Sequence, residues 1–455
     1  MIKRPPKLTE GMKLIPMLEL IANHRNDAEK YSKYQAPIDS KGRYLPFDQF
    51  MRRVDSGLNQ ELAWAFTKMA RRAVLRPLLK LGQPSTLCSY MPTVNAEIAR
   101  TLVDQNVTSA ALEWTAKKIG EESLFKYLFN DLVEDEAISS SQLEGAVTTT
   151  QIAKEMIKRN REPRNMDERM ILGNYKMMNY VWEHRDSKID LDFILDLHQI
   201  GVSGIDDKKY SPGELKKSDD VVVIDQDENI VHQPPPVDGI VKRLADFFSW
   251  VNATHDDAQT VEFIHPLIKA IVIHFAIGYE HPFRDGNGRV ARALFYWFMF
   301  KKGYAAFRYI SISNLLKKAS SQYAKSYLYT ETDEMDMTYF IDNQCLIISK
   351  GIKEFNEHCK KVIYDIESFN AWLWSSGVFT KLNDKQKTVF QVAKSGAAKI
   401  FTAKNVKENI GCSYNTANSV LNGLVDLNLF SKKKIGKEWI YSLRDKQDIQ
   451  KNWIS

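Results

Sequence analysis

The stretch that decides both fold and chemistry reads Tyr279-Glu280-His281-Pro282-Phe283-Arg284-Asp285-Gly286-Asn287-Gly288-Arg289-Val290-Ala291-Arg292. An apolar run from Ile264 to Ile277 leads into it, and a second, Ala291 to Phe300, leads out. Between them the loop from His281 to Arg289 holds one imidazole, one carboxylate, one carboxamide and two guanidinium groups, with two glycines that let backbone N–H groups converge on a ligand. A helix beginning near Gly288 would aim its unpaired first-turn N–H groups at the same spot, which makes an anion site. Arg289 and Arg292, three apart, would share one helix face and suit polyphosphate oxygens. Asp285 offers the hard oxygen that Mg²⁺ prefers, and His281 is the group suited to take a proton near neutral pH. The loop therefore reads as a phosphoryl- or nucleotidyl-transfer site.

The surrounding chain is that of an ordinary globular protein. Its 455 residues suffice for two or three domains, with 44% hydrophobic and 26% charged residues and a formal net charge of +6. That charge permits a local basic patch but does not by itself argue for nucleic acid. Cys88, Cys345, Cys359 and Cys412 are far apart, so neither a disulfide framework nor a zinc knuckle is expected. The N-terminus opens on Pro5-Pro6 rather than an apolar segment, and the apolar runs are broken by Lys269 and His274 or stop at Lys301. No signal peptide, no membrane span and a cytoplasmic location are the expectation.

Along the chain the pattern is mainly α. An N-terminal region, residues 1–105, shows helical periodicity from Leu58 to Leu79, with Leu62, Phe66, Met69 and Leu75 on an apolar face. Arg71, Arg72, Arg76 and Lys80 are expected to be solvated there. Ser140 and Glu144, four apart, share a helix face that Gly145 is placed to end, and Thr148 to Gln151 reads as a capping box. Helices follow over Met166–Trp182, Leu191–Gly201, Val237–Ala253 and Val261–Glu280. Val221, Val222, Val223 and Ile224, with Ile230-Val231-His232 across a polar turn at 225–229, form a probable hairpin by pattern. His265 and His274 lack metal-ligand spacing and are read as buried, hydrogen-bonded histidines. Near the end, helices at Asp384–Ala393, Thr402–Ile410 and Asn415–Leu427 precede a two-strand segment, Phe430 to Tyr441, with Gly436 at its tip.

Residues His281 to Arg292 resemble, position for position, the signature HPFx[DE]GN[GK]RxxR of the Fic (filamentation induced by cAMP) family. Ser140 to Gly145 resembles the [ST]xxxE[GN] inhibitory motif of those Fic proteins that carry an inhibitory helix N-terminal to the core. The resemblance implies a Fic-type helical core over residues 106–360, including an inhibitory helix at about 131–145 and one β-hairpin flap at about 219–233. The C-terminal segment, 380–455, resembles a winged-helix domain, whose basic wing leaves DNA open as a partner through phosphate contacts.

The same resemblance implies a protein adenylyltransferase that uses ATP and Mg²⁺. His281 would be the catalytic base, with Phe283, Asp285, Gly286, Asn287, Gly288, Arg289 and Arg292 binding ATP and Asp285 holding the metal. Tyr323 would stand at the adenine, although Ser320 replaces the family's usual arginine three residues earlier. Ser140 and Glu144 would inhibit, Glu144 by pairing with Arg292. Val221 to Ile224 would dock the main chain of a target protein bearing a Ser, Thr or Tyr hydroxyl. The family often has an aromatic and an arginine after Pro-Gly-Glu, where this chain has Leu215 and Lys216. Gly288 favours AMP transfer, because a lysine there marks relatives that transfer phosphate. Removal of AMP, a bifunctional enzyme and a nucleotide-sensing DNA-binding regulator are the competing readings, and a homo-oligomer is left open.

Overall fold

Helices joined by short loops, with three two-stranded hairpins among the described residues, make up the protein. The computed structural model describes residues 2–6, 22–23, 25–119, 134–205, 210–224, 230–260, 262–395, 398–435 and 438–453. The expected start of the inhibitory helix (131–133), the flap turn (225–229) and the wing tip at Gly436 lie outside the described residues. The chain divides into two units, Met1–Ser109 with Leu132–Lys353, and Ala110–Asp131 with Glu354–Ser455.

In the first unit, helix α1 (Gln60–Val74) starts at Asn59, whose side chain accepts from the Leu62 N–H. Sequence periodicity carried this helix to Leu79, but it stops at Val74 because Pro77 lacks an N–H and holds Arg76 extended. Residues Arg76–Leu81 form strand β1 instead, antiparallel to β2 (Thr86–Tyr90), a hairpin the periodicity concealed. Met69, expected on the apolar face, is exposed. Arg71, expected in solvent, is 1% exposed. Its guanidinium lies 3.7 Å over the Tyr44 ring and donates to the carbonyls of Pro37 and Leu45 and to the Tyr339 hydroxyl at 2.8–2.9 Å. These partners satisfy a charge that would otherwise be costly to bury. Arg72, Arg76 and Lys80 are exposed.

Next come α2 (Val94–Asn106), α3 (134–143) and α4 (Thr150–Lys158). The cap of α4 is Thr149, one residue later than expected, and it accepts from Ile152 without a reciprocal box. Helices α5 (Met166–Glu183) and α6 (Leu191–Val202) pack against each other. Their approach depends on glycine, since a Cβ on Gly173 would run into the Gly201 carbonyl oxygen. The flap is shorter than its sequence pattern, with β3 (Val223–Ile224) pairing to β4 (Ile230–His232), while Val221 and Val222 precede the strand.

After α7 (Ile240–Asn252), helix α8 (Pro266–Glu280) begins later than the expected Val261, because Pro266 is suited to the first helical turn and the His265 ring Nδ1 caps Leu267. Helix α9 (Asn287–Lys301) packs against α8 and against α5 and α6. Both α8 and α9 are buried on nearly every side, as a helix apolar all round must be. The unit is completed by α10 (Ile312–Lys318), α11 (Ser320–Thr332) and the first part of α12 (Thr338–Ser375).

The second unit has its own core, with Phe390, Val406, Ala417, Leu421, Leu424, Phe430 and Tyr441 among its buried residues. Helices α13 (Asp384–Ser395), α14 (Ala403–Ile410) and α15 (Tyr414–Asp426) precede an antiparallel pair, β5 (Phe430–Ile435) and β6 (Glu438–Leu443). A capping box at Thr402 and Asn405 opens α14, and Phe401 bridges Tyr441. A final short helix, α16 (Lys446–Asn452), follows. Among the described residues no helix is long and apolar enough to cross a membrane.

The glycine contact between α5 and α6 is testable. Gly173→Ala should destabilise the protein by about 1–3 kcal/mol, because the clash is with backbone and cannot be relieved by a rotamer change. Urea unfolding measures it, and a stability equal to that of the parent chain would contradict so close an approach.

Candidate active site

The loop between α8 and α9 is fixed from both sides before any ligand is considered. At its entrance Glu280 is buried, and its carboxylate accepts from the Gly82 N–H at 3.0 Å and from Arg243 Nε at 2.9 Å. His281 then caps α8 in the left-handed conformation, with φ +46° and its N–H on the Ile277 carbonyl. The His281 ring places Nδ1 3.1 Å from the Gly278 carbonyl, which can only accept. Nδ1 therefore carries the proton of the neutral ring, and the lone pair is on Nε2. Burial lowers the His281 pKa to about 4, outweighing the Gly278 hydrogen bond that favours the charged form. The imidazole is thus a neutral acceptor across the physiological range.

Phe283 is fully buried and its ring stacks on His198 at 3.9 Å between centroids, nearly parallel. His198, on α6, spans the loop. Its Nε2 donates to the Asp285 carbonyl at 3.0 Å, while its Nδ1 accepts from the Gly213 N–H at 3.2 Å. One donor and one acceptor define a neutral ring, and burial lowers its pKa to about 4. The Asn287 carboxamide is committed at both ends to Phe283, accepting from its N–H at 2.9 Å and donating to its carbonyl at 2.8 Å. Asn287, assigned to a phosphate by resemblance, holds the loop in shape here. The Asp285 carboxylate accepts from the Gly286 N–H, and Gly286, at φ +86°, is the N-cap of α9.

The first turn of α9 then points two buried guanidiniums at this concavity. Arg289 is 1% exposed and donates through Nη1 to the Gly201 carbonyl, yet Nε and Nη2 have no hydrogen-bond partner among the described residues. Burial pulls its pKa down. Arg292 is 4% exposed and donates from Nε to Ser140 Oγ at 2.8 Å, from Nη2 to the Ser140 carbonyl at 3.1 Å, and from Nη2 to Glu144 Oε1 at 2.7 Å. Burial alone would raise the Glu144 pKa, but the charge and hydrogen bond of Arg292, with Arg289 and His281 behind them, hold it below the usual carboxylate range. Glu144 lies in the turn just after α3, followed by Gly145 at φ +98°. Its Oε1 sits so close over Gly288 that a Cβ on that glycine would overlap it. A carboxylate thus occupies the N-terminal end of α9, where an anion is favoured.

Around this centre the structure places the other expected residues less uniformly. Tyr323 turns its hydroxyl to His274 Nε2 at 2.8 Å, and its ring lies in a cluster with Tyr327 and Phe340. His265 meets Asp104 at 3.1 Å and, like His274, is buried. Lys216 is buried, donating from Nζ to the Pro235 carbonyl and from its backbone N–H to the Pro282 carbonyl. It ties the Pro-Gly-Glu loop to the base of the flap. In β4 the two ring nitrogens of His232 meet the Tyr279 carbonyl at 2.8 Å and the Glu331 carboxylate at 2.7 Å. Among the described residues no group of three or more His, Cys, Asp or Glu side chains could hold a metal ion. His198, Gly201 and Lys216 were not singled out as site residues by sequence. The only trace of His198 was a lone histidine in an apolar helix.

Residues 188–299 match the Fic/DOC family. The protein adenylyltransferase Fic of Drosophila yakuba is 29% identical over 136 residues, 30% of this chain and 25% of that protein. The protein adenylyltransferase Fic of Nematostella vectensis is 24% identical over 194 residues, 41% of this chain and 40% of that protein. The chain thus spans well under half the length of these curated relatives. Among solved structures, a Fic family protein from Desulfovibrio desulfuricans G20 aligns with a TM-score of 0.49 at 15% identity, covering 77% of this chain and 94% of that one. Fic-1 from C. elegans aligns with a TM-score of 0.47 at 16% identity, covering 75% and 86%.

Two expectations follow from the buried histidines. His198→Phe keeps the ring stack but strands the Asp285 carbonyl and the Gly213 N–H, so urea unfolding should show a loss of roughly 2–4 kcal/mol. Burial also depresses His281 to about 4 and His274 to about 3, from 6.5 in the open chain. Between those values the unfolded chain binds protons that the folded chain refuses. Stability should therefore fall as pH drops below 6.5 toward 4, and a urea midpoint that stays flat over that window would contradict the burial.

Proposed function

We propose that this chain, whose residues 188–299 belong to the Fic/DOC family, is an autoinhibited protein adenylyltransferase acting on a Ser, Thr or Tyr hydroxyl of a target protein. One observation carries the reading, the pairing of Glu144 with Arg292 directly over Gly288 beside a neutral His281. A triphosphate suits the same place. Its oxygens match the uncommitted Arg289 nitrogens, the Arg292 guanidinium and the first N–H groups of α9. The similarity to the protein adenylyltransferases of Drosophila yakuba and Nematostella vectensis supports transfer of an adenylyl group.

In this reading the target oxygen attacks the α-phosphorus of ATP, and its proton passes to His281 Nε2. The bond from the α-phosphorus to the bridging oxygen breaks, and pyrophosphate leaves with the electron pair. Arg289 and Arg292 offset the charge that builds on the departing phosphates, and the rigid loop supplies orientation, which is most of what such chemistry needs. Mg²⁺ fits the donor set. Asp285 would hold the ion, as a single carboxylate can when phosphate oxygens complete the shell. When bound it supplies further charge neutralisation between the phosphates. The flap, held at its base by Lys216 and His232, offers a strand edge for the target backbone. The second unit is read as a winged helix from its three helices and lysine-bearing hairpin.

Inhibition follows from the same geometry. The Glu144 carboxylate uses a donor of Arg292 and places negative charge where the outer phosphates would lie. Incubation with ATP labelled at the α-phosphate tests the whole reading. Glu144→Gly should raise protein-bound label about 10- to 100-fold, the effect of removing one charge-assisted hydrogen bond. His281→Ala in the Glu144→Gly background should lower it by about 10²–10⁴. The absence of label in Glu144→Gly would overturn the proposal.

A further inference from the structure

The reaction outlined above leaves the buried carboxylate of Glu136, on α3, without a task. Glu136 is 3% exposed and lies on the same helix as Ser140, eight residues before Glu144. Its Oε2 accepts from Ser311 Oγ and from the Ser313 N–H, each at 3.0 Å, and its Oε1 accepts a short hydrogen bond from Ser313 Oγ. These bonds reach from α3 to the turn that opens α10. Ser311 is itself held there, accepting from the Asn314 N–H at 3.3 Å. All three donors are neutral and the acceptor is charged, which is the stronger kind of hydrogen bond.

Other contacts also hold α3, which is buried over most of its length: Lys154 pairs with Asp135 at 2.7 Å and Lys317 donates to Gln142 at 2.8 Å. Ser141 Oγ donates to the Met170 carbonyl, Asn174 donates to the Ala137 carbonyl, and Ile138 packs with Ala153, Met156 and Ile171. A helix of this length has little stability of its own, so its position depends on such attachments. Glu136 lies four residues, about 6 Å, before Ser140 along the helix. Glu136 therefore fastens α3 one turn before the Arg292 contact, while Ser140 and Glu144 fasten the site end. The Glu136 charge is also within electrostatic reach of Arg292.

We infer that Glu136 is a positioning residue for inhibition, seated on Ser311 and Ser313, which holds α3 where Glu144 meets Arg292. This rests on the autoinhibited-transferase reading. Without the seat, α3 is freer to shift, Glu144 spends less time on Arg292, and the phosphates of ATP displace it more readily. The charge-assisted bonds set the scale, and their loss shifts such an equilibrium by about tenfold or more.

The experiment uses the full chain and ATP labelled at the α-phosphate, comparing the parent with Glu136→Ala, Glu144→Gly and the double variant. Glu136→Ala should raise label about tenfold and lower the apparent KM for ATP. In the Glu144→Gly background it should add less than about twofold, because nothing is then left to release. Ser313→Ala combined with Ser311→Ala should act as Glu136→Ala does, and Glu136→Gln, which keeps one acceptor, should act more weakly. Hydrogen exchange over residues 134–143 should quicken in Glu136→Ala without any catalytic assay. Label unchanged in Glu136→Ala while Glu144→Gly rises overturns the inference alone. Label lowered by Glu136→Ala in both backgrounds also overturns it, since the residue would then be mere scaffold. If Glu144→Gly itself shows no rise, the inhibitory reading fails and this inference falls with it.

Discussion

Two guanidiniums buried within one turn at the start of an apolar helix are a standing electrostatic problem, and the rest of the first unit is arranged around it. Arg289 and Arg292 have almost no contact with water, so each needs an anion or a full set of acceptors. Arg292 has both, in the Ser140 carbonyl and hydroxyl and the Glu144 carboxylate. Among the described residues Arg289 has the Gly201 carbonyl and a face toward the Tyr210 ring, with Nε and Nη2 unpartnered. The carboxylates of Glu144 and Asp285 supply the negative charge that acts on it.

The loop that borders this cavity has little freedom. Glu280 joins it to the β1–β2 turn and to α7, His198 joins it to α6 and the Pro-Gly-Glu loop, and Asn287 closes it on itself. Each of these side chains is polar, buried and fully used, which is how a short segment is held in one conformation without regular secondary structure. Lys216 and His232 extend the same frame to the flap. The chemistry-bearing groups are therefore positioned mainly by residues that have no chemistry of their own.

How much of this was legible in the sequence follows from the range of the interactions involved. The 281–292 segment could be read because its parts are local, with glycines, a helix start and two arginines three apart acting within a single turn. The site end of α3 was legible for the same reason. Arg71 was not, because its burial depends on Tyr44 and Tyr339, one of them 268 residues away along the chain. Strand β1 was hidden because Leu75 and Leu79 continue the helical period of α1, and only Pro77 marked the break. His198 was not singled out because its two partners come from loops that periodicity does not place. The Ser311 and Ser313 contacts of Glu136 were invisible for the same reason.

The close approach of Glu144 to Gly288 has a consequence for how such a chain can change. Glu144 Oε1 is the outer end of a flexible side chain, so a residue larger than glycine at 288 would displace it from that place. Any side chain gained at 288 would therefore be felt first in the Glu144–Arg292 ion pair, because the same carboxylate oxygen makes both contacts.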